Sequence, residues 1–310
     1  VEQLLDHLPG GVQVVISTRV DPPLPLSRWR GRGQLAEVRA ADLRFSDAEA
    51  GALLERMQLD VGADDVELLV ERTEGWAAGL SLAGLSMSGR DDTTGFVQDF
   101  AGTDRHVLDY LGSEVLAGLA PDAQRFLVRS SVLQRLSGPL CDAVMERRGS
   151  GRLLQDLEHS NAFVVPLGGT REWYRLHHLF GEVLRSELRS EHAGLVPVLH
   201  RRASRWFAEA GMTFEAIEHA VEAGDPGLVA DLLGPVSLAY LGGGQVDTVR
   251  AWLDRLGEES VATDPRLCLA AGAGQIVLGD DPEMTRRLDR AEELPYDGEL
   301  PGGPASIEAG

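Results

Sequence analysis

The sequence predicts a mainly α-helical chain with a short α/β remnant at its front, a winged helix in its middle and helical repeats behind. Three patterns carry this reading. Gly11 to Arg19 is an apolar, β-branched run that Pro22 and Pro23 stop. Three helix starts between Pro121 and Leu157 are followed by two β-rich runs around Gly168-Gly169. Beyond Val198, apolar residues of helical spacing come in pairs of segments, punctuated by Ala223-Gly-Asp-Pro and Leu278-Gly-Asp-Asp-Pro.

Taken in order, Val12 to Thr18 reads as a buried strand that ends in a turn and delivers Arg19 to its carboxyl edge. That edge is where open α/β sheets bind ligands. A connector rich in Pro and Arg, residues 21–33, leads to Leu35 and Glu37, whose alternation suits a short last strand. No Gly-x-x-x-x-Gly-Lys-Ser/Thr loop occurs in the 310 residues, so the rest of such a sheet, with its phosphate loop, is expected upstream of Val1. Ser46 with Glu49 forms a capping box that opens a helix through Leu53, Leu54 and Met57. Asp64 and Asp65 open a second helix, which Gly75 ends, and Trp76 opens a third through Leu80, Leu82 and Leu85.

Pro121 opens a helix through Phe126, Leu127 and Val128; Ser137-Gly-Pro opens the next, and Ser150 a third through Leu153, Leu154 and Leu157. Phe163-Val-Val-Pro-Leu and Glu172-Trp-Tyr-Arg-Leu then read as a hairpin, which completes the winged-helix order. A helix follows through Leu179, Val183, Leu184 and Leu188. The paired segments behind it run over 198–210, 214–222, 227–233, 248–256, 265–278 and 283–293, and 295–310 reads as a loose tail.

Composition narrows the function classes. The net charge is -20, and all 29 basic residues are Arg. Clustered cations are what phosphate backbones require, so nucleic-acid or anionic-membrane binding by the chain as a whole is excluded, as is any catalytic or phosphate-loop lysine. Cys141 and Cys268 lie far apart and form no Cys-x-x-Cys pair, which fits a reducing, cytoplasmic setting with buried thiols and no metal site. No apolar run approaches the ~18 residues of a membrane span. The histidines show no zinc spacing, and no nucleophile-base pair or hydrolase elbow is present.

Three groups remain as candidates for chemistry. Arg19, at a strand end, is either a guanidinium that forks onto a phosphate or a surface residue after a buried strand. His177, where the hairpin meets the next helix, is placed either to bond an anion at a helix N-terminus or to cap and pack. The small residues of Glu74-Gly-Trp-Ala-Ala-Gly-Leu at a helix start allow close approach of a flat purine, and equally of another helix. The third helix of the winged-helix region carries Arg152 against Asp156 and Glu158, the wrong charge for reading a DNA groove.

The phrases Val14-Val-Ile-Ser-Thr-Arg-Val-Asp-Pro-Pro-Leu-Pro, Leu43-Arg-Phe-Ser, Thr73-Glu-Gly-Trp-Ala-Ala-Gly-Leu and Leu176-His-His-Leu-Phe occur in an order and at separations that resemble the large ATP-dependent, MalT-like LuxR-type transcriptional regulators, a group of signal-transduction ATPases with numerous domains. This resemblance implies that Arg19 is a sensor arginine facing the nucleotide's phosphates. It implies that Gly75 and Ala77 lie near adenine, with Ala77 where many relatives have proline. His177 would be the lock residue on the β-phosphate of ADP, with His178 where relatives have Asp. The domains implied are a nucleotide-binding remnant over 1–40, a helical lid over 41–118, a winged helix over 119–192 and tetratricopeptide-like repeats over 193–294.

The intact relative is then an ATP/ADP-switched regulator that binds a small-molecule or protein inducer on its repeats, self-associates, and contacts DNA through a further domain. This stretch alone is expected to have no enzymatic activity, no tight nucleotide binding, no DNA contact and no membrane contact. A competing reading is an interaction scaffold whose repeats bind a protein and whose front is degenerate.

Overall fold

A computed structural model describes residues 2–9, 11–18, 21–90, 92–160, 162–169, 171–278 and 281–295. It divides into two units, residues 1–142 with 147–191 and residues 143–146 with 192–310. Mainly helical architecture is what the apolar spacing predicts, and the regular structure of the described residues is helical except for one hairpin.

The first unit opens with α1 (Glu2–Asp6) and α2 (Leu26–Gly31). Between them the structure corrects the sequence reading. Residues 12–18 form no strand, and their apolar side chains face solvent, Val15 at 87% exposed. Residues 35–39 form no strand either. An extended segment needs a neighbour for its backbone N–H and C=O groups, and among the described residues the only sheet is the distant hairpin. The β-branched pattern records a preference that no adjacent strand here satisfies. Asp6 instead ties this front together, accepting from the Trp29 indole N–H at 2.8 Å and from Arg28 at 2.6 Å.

Next come α3 (Asp47–Arg56), α4 (Ala63–Thr73), α5 (Ala77–Met87), α6 (Thr93–Asp99) and α7 (Arg105–Tyr110), the last running into a π-helical turn over Leu111–Leu116. The Ser46 capping box forms as its spacing predicts, with Ser46 N–H donating to Glu49 at 2.9 Å. Ala50, Leu54, Leu69, Leu80, Ala83 and Met87 are buried between the three longer helices, α3 to α5. Their core fixes the short turn between α4 and α5.

In that turn Glu74 and Gly75 both adopt left-handed backbone, at φ +51° and +66°. Phe45 N–H donates to the Gly75 carbonyl at 2.8 Å, and a Cβ on Gly75 would lie 2.6 Å from the Phe45 carbonyl oxygen. Only glycine fits there. Gly75→Ala is expected to cost at least about 2 kcal/mol, combining left-handed strain with a backbone clash, and the urea midpoint of the first unit measures it.

The winged helix follows as α8 (Pro121–Ser130), α9 (Gly138–Met145), α10 (Ser150–His159), β1 (Val164–Leu167), β2 (Trp173–Leu176) and α11 (His178–His192). β1 and β2 pair antiparallel from Val164 opposite Leu176 to Leu167 opposite Trp173. Leu136 adds a bridge to Tyr174, its N–H donating at 2.7 Å. Phe126, Leu127, Leu136, Leu140, Leu154, Tyr174, Phe180 and Leu184 fill the core. Cys141 lies in it as a free thiol, and burial pushes its pKa up to about 12.

The second unit contains α12 (Val196–Glu209), α13 (Thr213–Glu222), α14 (Pro226–Leu233), α15 (Ser237–Gly242), α16 (Val246–Leu256), α17 (Glu258–Val261), α18 (Pro265–Leu278) and α19 (Asp281–Glu293). α12 packs on α13, and α18 on α19, as helical hairpins. Asp225 of the Ala-Gly-Asp-Pro punctuation caps α14, accepting from Leu228 N–H at 3.1 Å. Ile217, Val229, Leu233, Val249, Trp252 and Leu267 form the core. A cavity of about 200 Å³ opens between α16, α17 and α18, lined by Val249, Leu253, Val261 and Ala270 with Arg250 and Glu258. Residues 296–310, where the loose tail was expected, lie outside the described residues.

Candidate functional site

The α4–α5 turn packs against the junction of β2 and α11, and this contact gathers the candidate residues. The core beneath α4 leaves the Thr73 carbonyl and the Glu74 side chain at the turn's surface. The hairpin register sends Arg175 and His177 towards them from the other side. Gly75 and His177 are therefore brought to one place. Ala77 is half-buried in the first turn of α5. Arg19 lies outside the described residues.

His177 is 5% exposed. Its Nε2 is 3.0 Å from the Thr73 carbonyl oxygen, and a carbonyl only accepts, so Nε2 carries the proton. Nδ1 is buried and has no hydrogen-bond partner. The ring meets Phe163 and Trp76 edge-on, at centroid distances of 5.4 and 6.0 Å. Burial holds its pKa below the ordinary 6.5, partly offset by the nearby Glu74 carboxylate. The residue thus packs in the core, the second of the two sequence readings, and keeps one ring nitrogen without a partner.

Beside it lies a group that sequence reasoning passed over. Glu74, with its side chain 10% exposed, accepts a two-pronged contact from Arg175, at 2.6 Å to Oε1 and 2.7 Å to Oε2. His178 N–H, at the α11 N-terminus, donates to Oε1 at 2.9 Å. Arg44 donates to the Glu74 carbonyl at 3.0 Å and to Oε2 at 3.2 Å. Burial opposes the charge, but the Arg175 hydrogen bonds and the cationic surroundings win and bring its pKa down to about 2. The anion expected at this helix N-terminus is therefore supplied by the chain itself. Glu74 stands within the quoted Thr73-Glu-Gly-Trp phrase, and Arg175 two residues before His177, but nothing local announces that residues 101 apart will pair.

Chemically, the arrangement is an anion receptor. Two guanidiniums and a helix-terminal N–H converge on one carboxylate, and the neighbouring His177 keeps one ring nitrogen without a partner. Among the described residues no cluster of three or more His, Cys, Asp or Glu is placed to hold a metal, and no helix is long and apolar enough to cross a membrane.

Comparison with known proteins fits this assembly. Residues 112–196 match the MalT winged helix domain family. A serine/threonine-protein kinase PknK of Mycobacterium tuberculosis is 33% identical over 299 residues, covering 96% of this chain and 27% of the relative. An HTH-type transcriptional regulator MalT of Klebsiella pneumoniae is 30% identical over 268 residues, covering 86% of this chain and 30% of the relative. The chain thus spans less than a third of the length of the curated relatives it matches.

Proposed function

The chain is MalT-like, with a winged helix of the MalT family at residues 112–196, and from that premise we propose that it serves as the nucleotide-reading relay of a larger ATP/ADP-switched regulator. The observation that carries this reading is the buried Nδ1 of His177, left without a partner at the seam between lid and winged helix. A buried polar atom without a partner is costly, and a phosphate oxygen that arrives with a proton for Nδ1 would remove the cost.

The residues present fit such a group. Bound, ADP or ATP supplies a phosphate anion. His177 then holds one proton between Nδ1 and that oxygen, with Nε2 anchored on Thr73 so that the ring cannot turn away. Arg44 and Arg175 provide positive charge against the single Glu74 carboxylate. Gly75 and Ala77 are assigned to the adenine side of the nucleotide and Arg19 to its phosphates, although the space beside Gly75 itself is taken by the Phe45 backbone.

A kinase and a transcriptional regulator share this stretch. We therefore place the output, DNA binding or otherwise, in other parts of the whole protein and give these residues no catalytic step. α10 does not read DNA in this scheme, because it is acidic and Glu158 is paired with Arg171 at 3.2 Å. An inducer, small molecule or protein, acts on the second unit, where the cavity beside α16 is the suggested seat. Self-association belongs to the intact protein.

The full-length protein tests the reading. His177→Ala is expected to lower the fraction of molecules that retain ADP on purification about tenfold or more, the scale of one lost charge-assisted hydrogen bond. Because binding shares a proton at Nδ1, wild-type ADP affinity should rise as pH falls from 8 to 6, and the variant should lose that slope. Equal retention by both proteins would sink the role of His177.

A further inference from the structure

On the nucleotide reading above, we propose that Glu74 is a tethered stand-in for a phosphoryl group. The donors around its carboxylate form a phosphoryl-anion site, which the chain fills from within until a phosphate displaces it. The donor set is the first reason. A forked guanidinium, a second guanidinium and a helix-terminal N–H converging on two oxygens is the arrangement that recognises phosphate, and here Arg175, Arg44 and the His178 N–H make it. α11 is a full 15-residue helix, so its N-terminal field is developed.

The second reason is His177. Its Nδ1 has no hydrogen-bond partner and the residue is more than nine-tenths buried; with Nε2 donating to Thr73, Nδ1 can meet an anion only by taking up a proton and donating it. A carboxylate offers two oxygens to this pocket, whereas a phosphoryl group offers three. The third oxygen would accept from Nδ1 once the ring takes up a proton. Charge points the same way, since one negative charge faces two guanidiniums.

The third reason is that Glu74 is built to leave. It sits in left-handed backbone at the end of α4, a conformation a non-glycine residue holds at a cost. Arg44 is 40% exposed along its side chain and gives the site a wall that solvent and a phosphate can reach. Anion arrival and release of the α4–α5 turn are then one event, which couples phosphate to the lid.

Calorimetric titration of the full chain with pyrophosphate and with ADP tests the competition. Glu74→Gln is expected to bind one or both at least about tenfold more tightly than wild type, because the internal competitor loses its charge. Adding Arg175→Ala to that variant should abolish the gain. Glu74→Asp keeps the charge but shortens the reach, and should show a smaller gain. In the wild-type chain, the Glu74 side-chain ¹³C carboxyl resonance should move at saturating pyrophosphate. A folded Glu74→Gln with no gain for either ligand, or an unmoved resonance at saturation, overturns the proposal. A gain that survives His177→Ala keeps the competition and rejects His177 as the lock. No gain in Glu74→Gln, with ADP retention still lost in His177→Ala, keeps the lock and rejects the competition.

Discussion

Replacing Arg175 with alanine is expected to destabilise the first unit by about 1–3 kcal/mol, because Glu74 loses its forked partner but that partner is a third exposed and two other donors remain. Glu74 would keep only Arg44, which is 3.2 Å away and 40% exposed, and the His178 N–H. For a unit of this size the change is a fall of about 5 °C in Tm. The pair itself is worth less than its rupture. Glu74→Leu with Arg175→Met should recover much of the loss, since a packed apolar pair avoids desolvating two charges. A double-mutant cycle read by urea unfolding separates the two quantities. The pH dependence has a definite sign. Glu74 has its pKa depressed from 4.5 to about 2, so its contribution is complete above about pH 4.5 and is lost as pH falls towards 2. Acidification from 8 to 6 leaves the Glu74 contact intact, which is why the pH slope assigned to His177 is readable.

The second unit should fail earlier on acidification, because His200 and His219 are buried against each other with their Nδ1 atoms 2.9 Å apart. One Nδ1 must donate and the other accept, so the pair tolerates a single proton between them. Phe207 stacks on His219 with ring planes 10° apart, and removes water from one face. Burial brings the His219 pKa down to about 3 and holds His200 below 6.5, with Glu222 favouring and Arg255 opposing the charge on His200. Both folded values lie below the unfolded one. Stability is therefore complete above pH 6.5 and declines as the unfolded chain takes up protons that the folded one refuses. By pH 4 the loss should reach about 2–4 kcal/mol. Urea midpoints from pH 7.5 to 4, followed through Trp252 fluorescence, give the slope. His219→Phe should flatten it, and an unchanged slope in that variant would contradict the assignment.

Much of the helical framework was legible because its signals are local. Ser46 and Glu49 cap α3, Pro121 starts α8, and the Gly-Gly turn separates β1 from β2 where spacing predicts. The failure at residues 12–18 has the opposite cause. Val12, Val14, Val15 and Ile16 have strand preference, but a strand exists only beside another, and preference alone leaves them exposed. α6, α7 and the π turn were not individually legible, because their few apolar residues, such as Val97 and Val107, leave no run long enough to set a period. At the site, His177 stood out by its place after the hairpin. Glu74 and Arg175 did not, since ion pairing across 101 residues depends on how α4 and β2 are docked, and short-range pattern carries no record of that.

The same separation sets a timetable for synthesis. The α4–α5 turn leaves the ribosome with its carboxylate in water, and the guanidinium that holds it is 101 residues behind. At about 5–20 residues per second the wait lasts about 5–20 s. Through that interval α3, α4 and α5 can collapse on their own apolar core and set the backbone of the turn, with Gly75 N–H donating to Val70 and Phe45 N–H to Gly75, while the Glu74 side chain still lacks its forked partner. The emergence of β2 is what pins the Glu74 carboxylate, so a pause or truncation before Arg175 should leave that side chain open to solvent, visible to a protease that cuts after Glu74 in nascent chains and not in the completed protein.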